Sequence, residues 1–347
     1  MNEVTLKIQG KVFNFDSTTR DITLYNKGIR NFSSLEILRD LENIEALLLD
    51  KNEINKIEDV PFFPNLKRLS LGYNFIQKIE NLEYFKKMTG IALNNNQITK
   101  IENFGHFIEL KVLHLQNNHV KTIENLENLS KLVFLNLDNN HIEEFTGLSS
   151  LKDLKDLHLR NNRIRHLDIN FILPSLENLY LEGNRIESVS GLENLPNLKL
   201  LNLKNNKLRV IEGLDRLPKL EGVNLEYNEI ATFPGLDELR ERVRVNLDGT
   251  PYYREERRRF WSDDPDIMGF LKKYKCCPVC GKEHDDEELR ALFFYPSPEK
   301  EPILQKLEDS SHHSAETKRI TIGLPCCKCF KKFHNAKLKN RRDGANI

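Results

Sequence analysis

The sequence predicts an α/β repeat fold, a solenoid of short parallel strands on a concave face with short helical turns behind, carrying a small cysteine-bearing module at its C-terminal end. Three observations predict it. Asparagine recurs every 22 residues from Asn52 to Asn228, apolar columns keep the same step, and all six cysteines fall between Cys276 and Cys329.

The repeat sets the architecture, because self-similarity at a fixed short period marks a stacked fold. Asn52, Asn74, Asn96, Asn118, Asn140, Asn162, Asn184, Asn206 and Asn228 stand in one column. Five residues earlier runs the column Leu47, Leu69, Ile91 to Val223, and three residues earlier the column Leu49, Leu71, Leu93 to Leu225. Two residues later come Ile54, Ile76, Ile98 to Ile230, and further on a column from Phe63 to Leu239. The leucine pair one residue apart points two side chains inward from a strand. The asparagine falls where the chain leaves that strand, and its amide can pair backbone groups that would otherwise be buried unpaired. Each repeat then hides its apolar edge only against its neighbours. Ten such strands at about 4.8 Å give a spine roughly 45–50 Å long.

Pro64, Pro174, Pro196 and Pro218 sit at multiples of the same step, each two residues before the leucine that leads into a strand. Proline there ends the back-side turn without stranding an amide in the ladder. Between asparagine columns the chain often reads Ile-Glu-Asn-Leu or Ile-Glu-Gly-Leu, as at Ile79–Leu82, Ile123–Leu126 and Ile211–Leu214. On these residues the chain, from Ile44 to Leu239, resembles the 22-residue leucine-rich-repeat family of protein phosphatase one regulatory subunits. The resemblance implies short back-side helical turns and a concave face that binds protein. It makes a phosphatase or another regulated enzyme the candidate partner. One repeat departs from the pattern, with Asn170 in an apolar column.

Terminal repeats need covering. Val4–Phe15 alternates around Gln9-Gly10, which reads as a hairpin within an N-terminal cap over residues 1–21. The solenoid proper is expected over 22–253, beginning with an irregular repeat that holds Ile22, Leu24, Ile29, Phe32 and Leu35. At its end Arg242 and Thr250 replace the expected leucine and asparagine. The stretch from Leu247 to Arg254 resembles the cap that follows the last repeat in the same family. A capping helix and linker, with Glu255–Trp261 helical, is expected over 254–275, and the cysteine module with a basic tail over 276–347.

In that module Cys277-Pro278-Val279-Cys280-Gly281 and Cys326-Cys327-Lys328-Cys329 each supply a C-x-x-C pair. Four thiolates close a tetrahedral site, so Cys277, Cys280, Cys326 and Cys329 are expected to hold one structural Zn2+ in a zinc-ribbon-like module. The spacing between the pairs is longer than in ordinary ribbons, and Ser297–Ser314 reads as the polar loop that fills it, with strands at Arg290–Tyr295 and Arg319–Gly323. Cys276 or Cys327 could replace a ligand, as could His284 or His334.

Charge and hydropathy bound the rest. Basic and acidic residues balance at 52 each, which argues against a chain that binds nucleic acid or a membrane over its whole surface. The balance is uneven: residues 1–253 hold 32 Lys+Arg against 36 Asp+Glu, whereas from Lys318 onward there are nine Lys or Arg and a single acid, Asp343. Apolar runs such as Ala46–Leu49 are too short to span a bilayer, and Met1–Gly10 has no signal-like apolar stretch. A soluble, cytoplasmic monomer is expected.

No catalytic constellation emerges, so an enzyme is not expected. His114 and His158 share a strand column but lie two repeats apart, too far to share a metal ion, and His119 and His141 read as solvated turn residues that could approach each other. The outward strand columns are more informative. One runs from Ala46 through Val112, Phe134 and Leu200, the next from Leu48 through His114, His158 and Tyr180. Val112, His114, Phe134, His158, Tyr180 and Leu200 are expected to form an apolar and aromatic patch for a partner. The expected function is a protein-binding scaffold or regulatory subunit. The alternative is a zinc-ribbon adaptor that links nucleic acid, held through Lys331, Lys332, Lys337, Lys339, Arg341 and Arg342, to a protein partner.

Overall fold

The concave sheet is the direct product of the leucine columns. In the computed structural model, which describes residues 4–8, 11–15, 18–37 and 42–254, the chain divides into two compact units, Met1–Tyr252 and Tyr253–Ile347. Beyond Arg254 nothing of the second unit is described, so the expected zinc ligands Cys277, Cys280, Cys326 and Cys329, the expected helix at 255–261 and the basic tail lie outside the described residues.

The first unit opens with an antiparallel hairpin, β1 (Val4–Ile8) and β2 (Lys11–Phe15). The third strand of this small sheet comes from the irregular first repeat. After β3 (Asp21–Thr23) the chain makes a 3-10 turn at Phe32–Ser34 and enters β4 (Leu35–Ile37), which pairs antiparallel with β1.

Then come three-residue strands at the repeat step: β5 (Ala46–Leu48), β6 (Arg68–Ser70), β7 (Gly90–Ala92), β8 (Val112–His114), β9 (Phe134–Asn136) and β10 (Asp156–His158). The series continues with β12 (Asn178–Tyr180), β14 (Leu200–Asn202), β15 (Gly222–Asn224) and β16 (Arg244–Asn246). Together with β3 they make one eleven-stranded parallel sheet in chain order, one strand more than the regular columns indicate. In most of these strands the middle residue, such as Leu113 or Leu135, is fully buried, while its two neighbours face the concave side.

The asparagine column is the polar spine of this stack. All nine are buried, between 3 and 7% exposed. Asn140 is representative: its Nδ2 donates to the carbonyls of Leu115 (3.0 Å), Leu137 (3.1 Å) and Asp138 (3.2 Å), and its Oδ1 accepts from Val120 N at 3.0 Å. One side chain thereby satisfies backbone groups in its own repeat and in the preceding one.

A second column explains the Ile-Glu-Asn-Leu and Ile-Glu-Gly-Leu runs. Asn81, Asn103, Asn125, Gly147, Gly191, Gly213 and Gly235 all hold a left-handed backbone, a conformation that asparagine and glycine adopt most readily. The asparagine amides reach back one repeat, as Asn125 Nδ2 does to Ile101 O at 2.7 Å. At two of the glycines that replace them the backbones come closer: a Cβ on Gly147 would stand 1.9 Å from Ile123 O and one on Gly191 2.0 Å from Ile169 O.

Ile169 occupies this column in the irregular repeat and has no left-handed turn. Instead β11 (His166–Asp168) pairs with β13 (Ser188–Ser190) in a two-stranded sheet, and Ile169 N donates to Ser190 O at 3.1 Å. Ile169 is buried and takes the place that the exposed Asn170 vacates in the core.

The back of the solenoid differs from the expected helical turns. It consists mostly of single hydrogen-bonded turns, with 3-10 segments at Leu192–Asn194 and Leu214–Arg216 and one α-helix, α1 (Leu236–Arg240). A 22-residue repeat leaves too little chain behind the sheet for a full helix. Pro64 sits second in a four-residue turn closed by Leu66 N to Phe63 O (3.2 Å), a place that proline's fixed φ suits.

The last repeat is finished by its two departures from pattern. Arg242, in the leucine column, donates to the carbonyls of Leu217 (3.0 Å) and Asp215 (2.8 Å). Thr250, in the asparagine column, donates its hydroxyl to Leu247 O at 2.7 Å, the same carbonyl position that the asparagines take in their own repeats.

Candidate functional site: the concave face

Along β8 to β12 the outward side chains build one aromatic stack. The ring of His114 lies 4.9 Å from that of Phe134, which lies 5.1 Å from His158, which lies 4.4 Å from Tyr180. The Arg160 guanidinium closes the row 4.6 Å above Tyr180. The three other rings are third residues of their strands, whereas Phe134 is the first of β9. Between His114 and His158 the strand register places Asn136, whose Oδ1 is turned to the Asp138 amide at 3.0 Å. Phe134 leans across to fill that gap and so separates the two histidines.

All four rings are half-buried. Burial holds the pKa of His114 below its ordinary value, with Gln116 beside it pulling weakly the other way. Burial also lowers His158, aided by the Arg160 charge. Asp138, whose Oδ2 is 3.9 Å from His158 Nδ1, is shifted up by burial, although the Arg160 amide bonds its Oδ1 at 2.7 Å. The two imidazoles of the stack are therefore uncharged at neutral pH. Two of its buried polar atoms, His114 Nδ1 and Gln116 Oε1, have no hydrogen-bond partner among the described residues.

Beside the stack lies a shallow hollow of about 340 Å³, lined among others by Ser70, Gly90, Ala92, Val112 and His114. Small residues on β6 and β7 make it, and Val112 and His114 form its wall toward the aromatic strip.

Of the six residues expected to form a patch, the structure brings His114, Phe134, His158 and Tyr180 into one contact row and sets Val112 next to it. Leu200, 42% exposed, stands apart: Asp156 and Asn178 lie between it and Phe134 in the same column and are hydrogen-bonded to each other at 2.6 Å. Leu200 instead lies against Gly222, where an added Cβ would come 3.2 Å from its Cδ2. Ala46, expected to face outward, is fully buried. Its register neighbours Asp21 and Arg68 join across it, with Arg68 Nη2 2.9 Å from both carboxylate oxygens. No column count signals such a side-chain bridge.

His119 and His141 do approach each other, their ring centroids 5.5 Å apart. No group of three or more metal-binding side chains occurs among the described residues, and no described helix is long and apolar enough to cross a membrane.

The comparisons with known proteins agree with this geometry. A family model described as leucine rich repeat matches residues 174–230, and one described as leucine rich repeats in two copies matches residues 64–106 and 108–150. No curated protein matches the chain. Among solved structures it is similar to a leucine-rich-repeat protein of Leptospira interrogans, with 23% identity over 73% of this chain and 70% of that one and a TM-score of 0.53. It is also similar to the functional domain of InlJ from Listeria monocytogenes, with 17% identity over 69% of this chain and 56% of that one and a TM-score of 0.52. Internalin C2 of Listeria monocytogenes matches with 27% identity over 52% of this chain and 78% of that one, at a TM-score of 0.46.

Residues 64–150 and 174–230 thus carry the leucine-rich-repeat pattern. The matched segments are leucine-rich repeats, and the parallel-strand solenoid is their fold. Solenoids of this class present extended concave surfaces that serve as protein-interaction scaffolds.

Proposed function

We propose that this protein is a scaffold or regulatory subunit that holds a protein partner on its concave face, centred on His114, Phe134, His158 and Tyr180. The observation that carries the reading is the aromatic stack itself. Its rings are held in tilted and stacked contact on a rigid sheet, beside a hollow and two unsatisfied polar atoms. Rigid aromatic surface contributes contact area at little entropic cost, and such residues dominate binding energetics. A partner side chain that enters the hollow would meet His114 and Val112 on its wall. The Ile-Glu-Asn-Leu resemblance supports a phosphatase or another regulated enzyme as that partner.

The test is capture of partners by the full chain and by a variant combining Phe134→Ala with Tyr180→Ala, the captured proteins being identified and then purified for titration. Loss of binding with a retained fold supports the reading. Undiminished affinity of the purified partner for the variant overturns it.

Structural zinc on Cys277, Cys280, Cys326 and Cys329 belongs to the same proposal, supported by the two C-x-x-C pairs. A cytoplasmic site fits thiols kept reduced for metal. Elemental analysis of reduced, purified protein should give one zinc per chain, and no stoichiometric metal would refute the assignment.

A further inference from the structure

We propose a metal site apart from both the concave aromatic row and the cysteine pairs: His119 and His141, side by side on the loop crest after β8 and β9, chelate one divalent ion of the nickel, copper and zinc group. Each directly follows a ladder asparagine, so the two stand in one column on adjacent repeats. Their ring centroids are 5.5 Å apart with planes 34° from parallel, and among the described residues no other two imidazoles meet. The histidines of the concave row are kept apart by Phe134. His119 is exposed and His141 half-buried, so an ion reaches them from solvent.

The backbone holds the pair at a fixed spacing. His119 N donates to Ile98 O and His141 N to Val120 O, both at 2.8 Å. Between them Val120 N donates to Asn140 Oδ1 at 3.0 Å, and two residues before the pair Asn139 Nδ2 donates to Asn117 Oδ1 at 2.8 Å. Two imidazoles on adjacent rigid repeats are thus presented together before any ion arrives. Such preorganisation spares most of the ordering cost of binding.

The geometry selects the occupant. An ion about 2.1 Å from one nitrogen of each ring, with a tetrahedral angle between them, sets the ring centres about 5.3 Å apart. The observed 5.5 Å is close to that, and rotation about χ2, a soft torsion in histidine, aims the nitrogens at a common point. Among the described residues neither ring is engaged by a hydrogen bond or an ion pair. His158 and His166 differ in this respect: Nδ1 of the first lies 3.9 Å from Asp138 Oδ2, and that of the second 3.1 Å from Ser188 Oγ. Imidazole nitrogen suits nickel, copper and zinc, whereas calcium and magnesium take oxygen. Gln97 and Arg163 flank the pair in its column, so water completes the coordination.

The experiment titrates the full chain, equilibrated with zinc and then dialysed, with Ni2+, followed by calorimetry and by NMR of the histidine rings. Nickel should broaden the rings of His119 and His141 together, at the same ion concentration. Chelation makes the second nitrogen's binding intramolecular, so either single variant, His119→Gln or His141→Gln, should lose at least about tenfold in affinity and the double variant little more. Nickel held by the cysteines or by His312 and His313 persists in the double variant, so the difference reads the crest site alone. A His312→Gln, His313→Gln control should keep that site. Melting without metal should be the same for all variants. If a glutamine variant melts early, His119→Ala and His141→Ala must reproduce the loss. Losses that simply add in the double variant, broadening of the two rings at different nickel concentrations, or unchanged affinity in either single variant would each overturn the proposal and leave the pair a ring contact only.

Discussion

The imidazole of His158 stacks on the phenol of Tyr180 with ring centroids 4.4 Å apart and planes 30° from parallel. That contact keeps the histidine partly out of water on a surface that would otherwise be fully wet, and it ties the protonation of the concave face to its packing.

The first prediction concerns pH. The folded pKa values of His114 and His158 lie below the unfolded value near 6.5, chiefly through burial. Between the two values the unfolded chain binds more protons than the native one, so stability rises with pH across that window. The contribution is fully present above about 6.5 and is lost as pH falls toward the folded values. Asp138 acts in the opposite sense at lower pH, because burial raises its pKa above its ordinary value and the native state holds the proton longer. The histidine ring resonances in NMR titrations should therefore move at lower pH than those of a free peptide. Replacing both with glutamine should flatten the dependence of the urea midpoint on pH between neutral and mildly acidic solution. A slope that survives in that variant would mean that other groups cause it.

The second prediction concerns the ladder. Asn140→Ala removes four hydrogen bonds and leaves buried backbone groups unpaired, a cost of about 1–3 kcal/mol. Asn140→Asp keeps the size and the acceptor but replaces the Nδ2 donor by an oxygen facing the Leu115, Leu137 and Asp138 carbonyls. It should be the worse of the two at neutral pH, by virtue of an unpaired buried charge, and should recover as the carboxyl is protonated in acid. Chemical denaturation of both variants checks the order. An aspartate variant more stable than the alanine variant at pH 7 would show that acceptance from Val120 N, not donation, is what matters.

Much of this was legible in the chain because a repeat is read many times over. The register of the strands, the buried ladder from Asn52 to Asn228 and the outward direction of Phe134 and Tyr180 all follow from a period of 22 residues. What was not legible depends on single side chains crossing between repeats. Arg68 reaches Asp21 over Ala46, and Phe134 leans into the gap left by Asn136, neither of which a column position specifies. The left-handed column at Asn81, Asn103 and Asn125 was visible as a motif, but its reason, an amide reaching one repeat back, needs the backbone path. That path also explains Ile169, whose replacement of asparagine or glycine turns a corner into a strand.

The third prediction tests the C-terminal end of the stack. Arg242 stands where eight earlier repeats, from Leu66 to Leu220, place an apolar side chain, and pattern alone would mark it as a defect. In the fold it is a cap. The guanidinium bonds Leu217 O and Asp215 O of the preceding back-side turn, with Leu214 O at 3.4 Å from the same group. Hydrogen bonds made by a charged group are stronger than neutral ones, and losing them here should cost about 1.5–3 kcal/mol. Arg242→Leu restores the consensus residue and adds apolar volume, yet it should lower the melting temperature, because it removes the guanidinium bonds to Leu217 O and Asp215 O. Arg242→Lys should fall between, since one ammonium cannot span carbonyls as far apart as a guanidinium fork can. The decisive measurement is the order of melting temperatures, wild type above Lys above Leu. A leucine variant as stable as the wild type would show that the column wants an apolar side chain even at the end of the stack, and that the carbonyl contacts of Arg242 contribute nothing to stability.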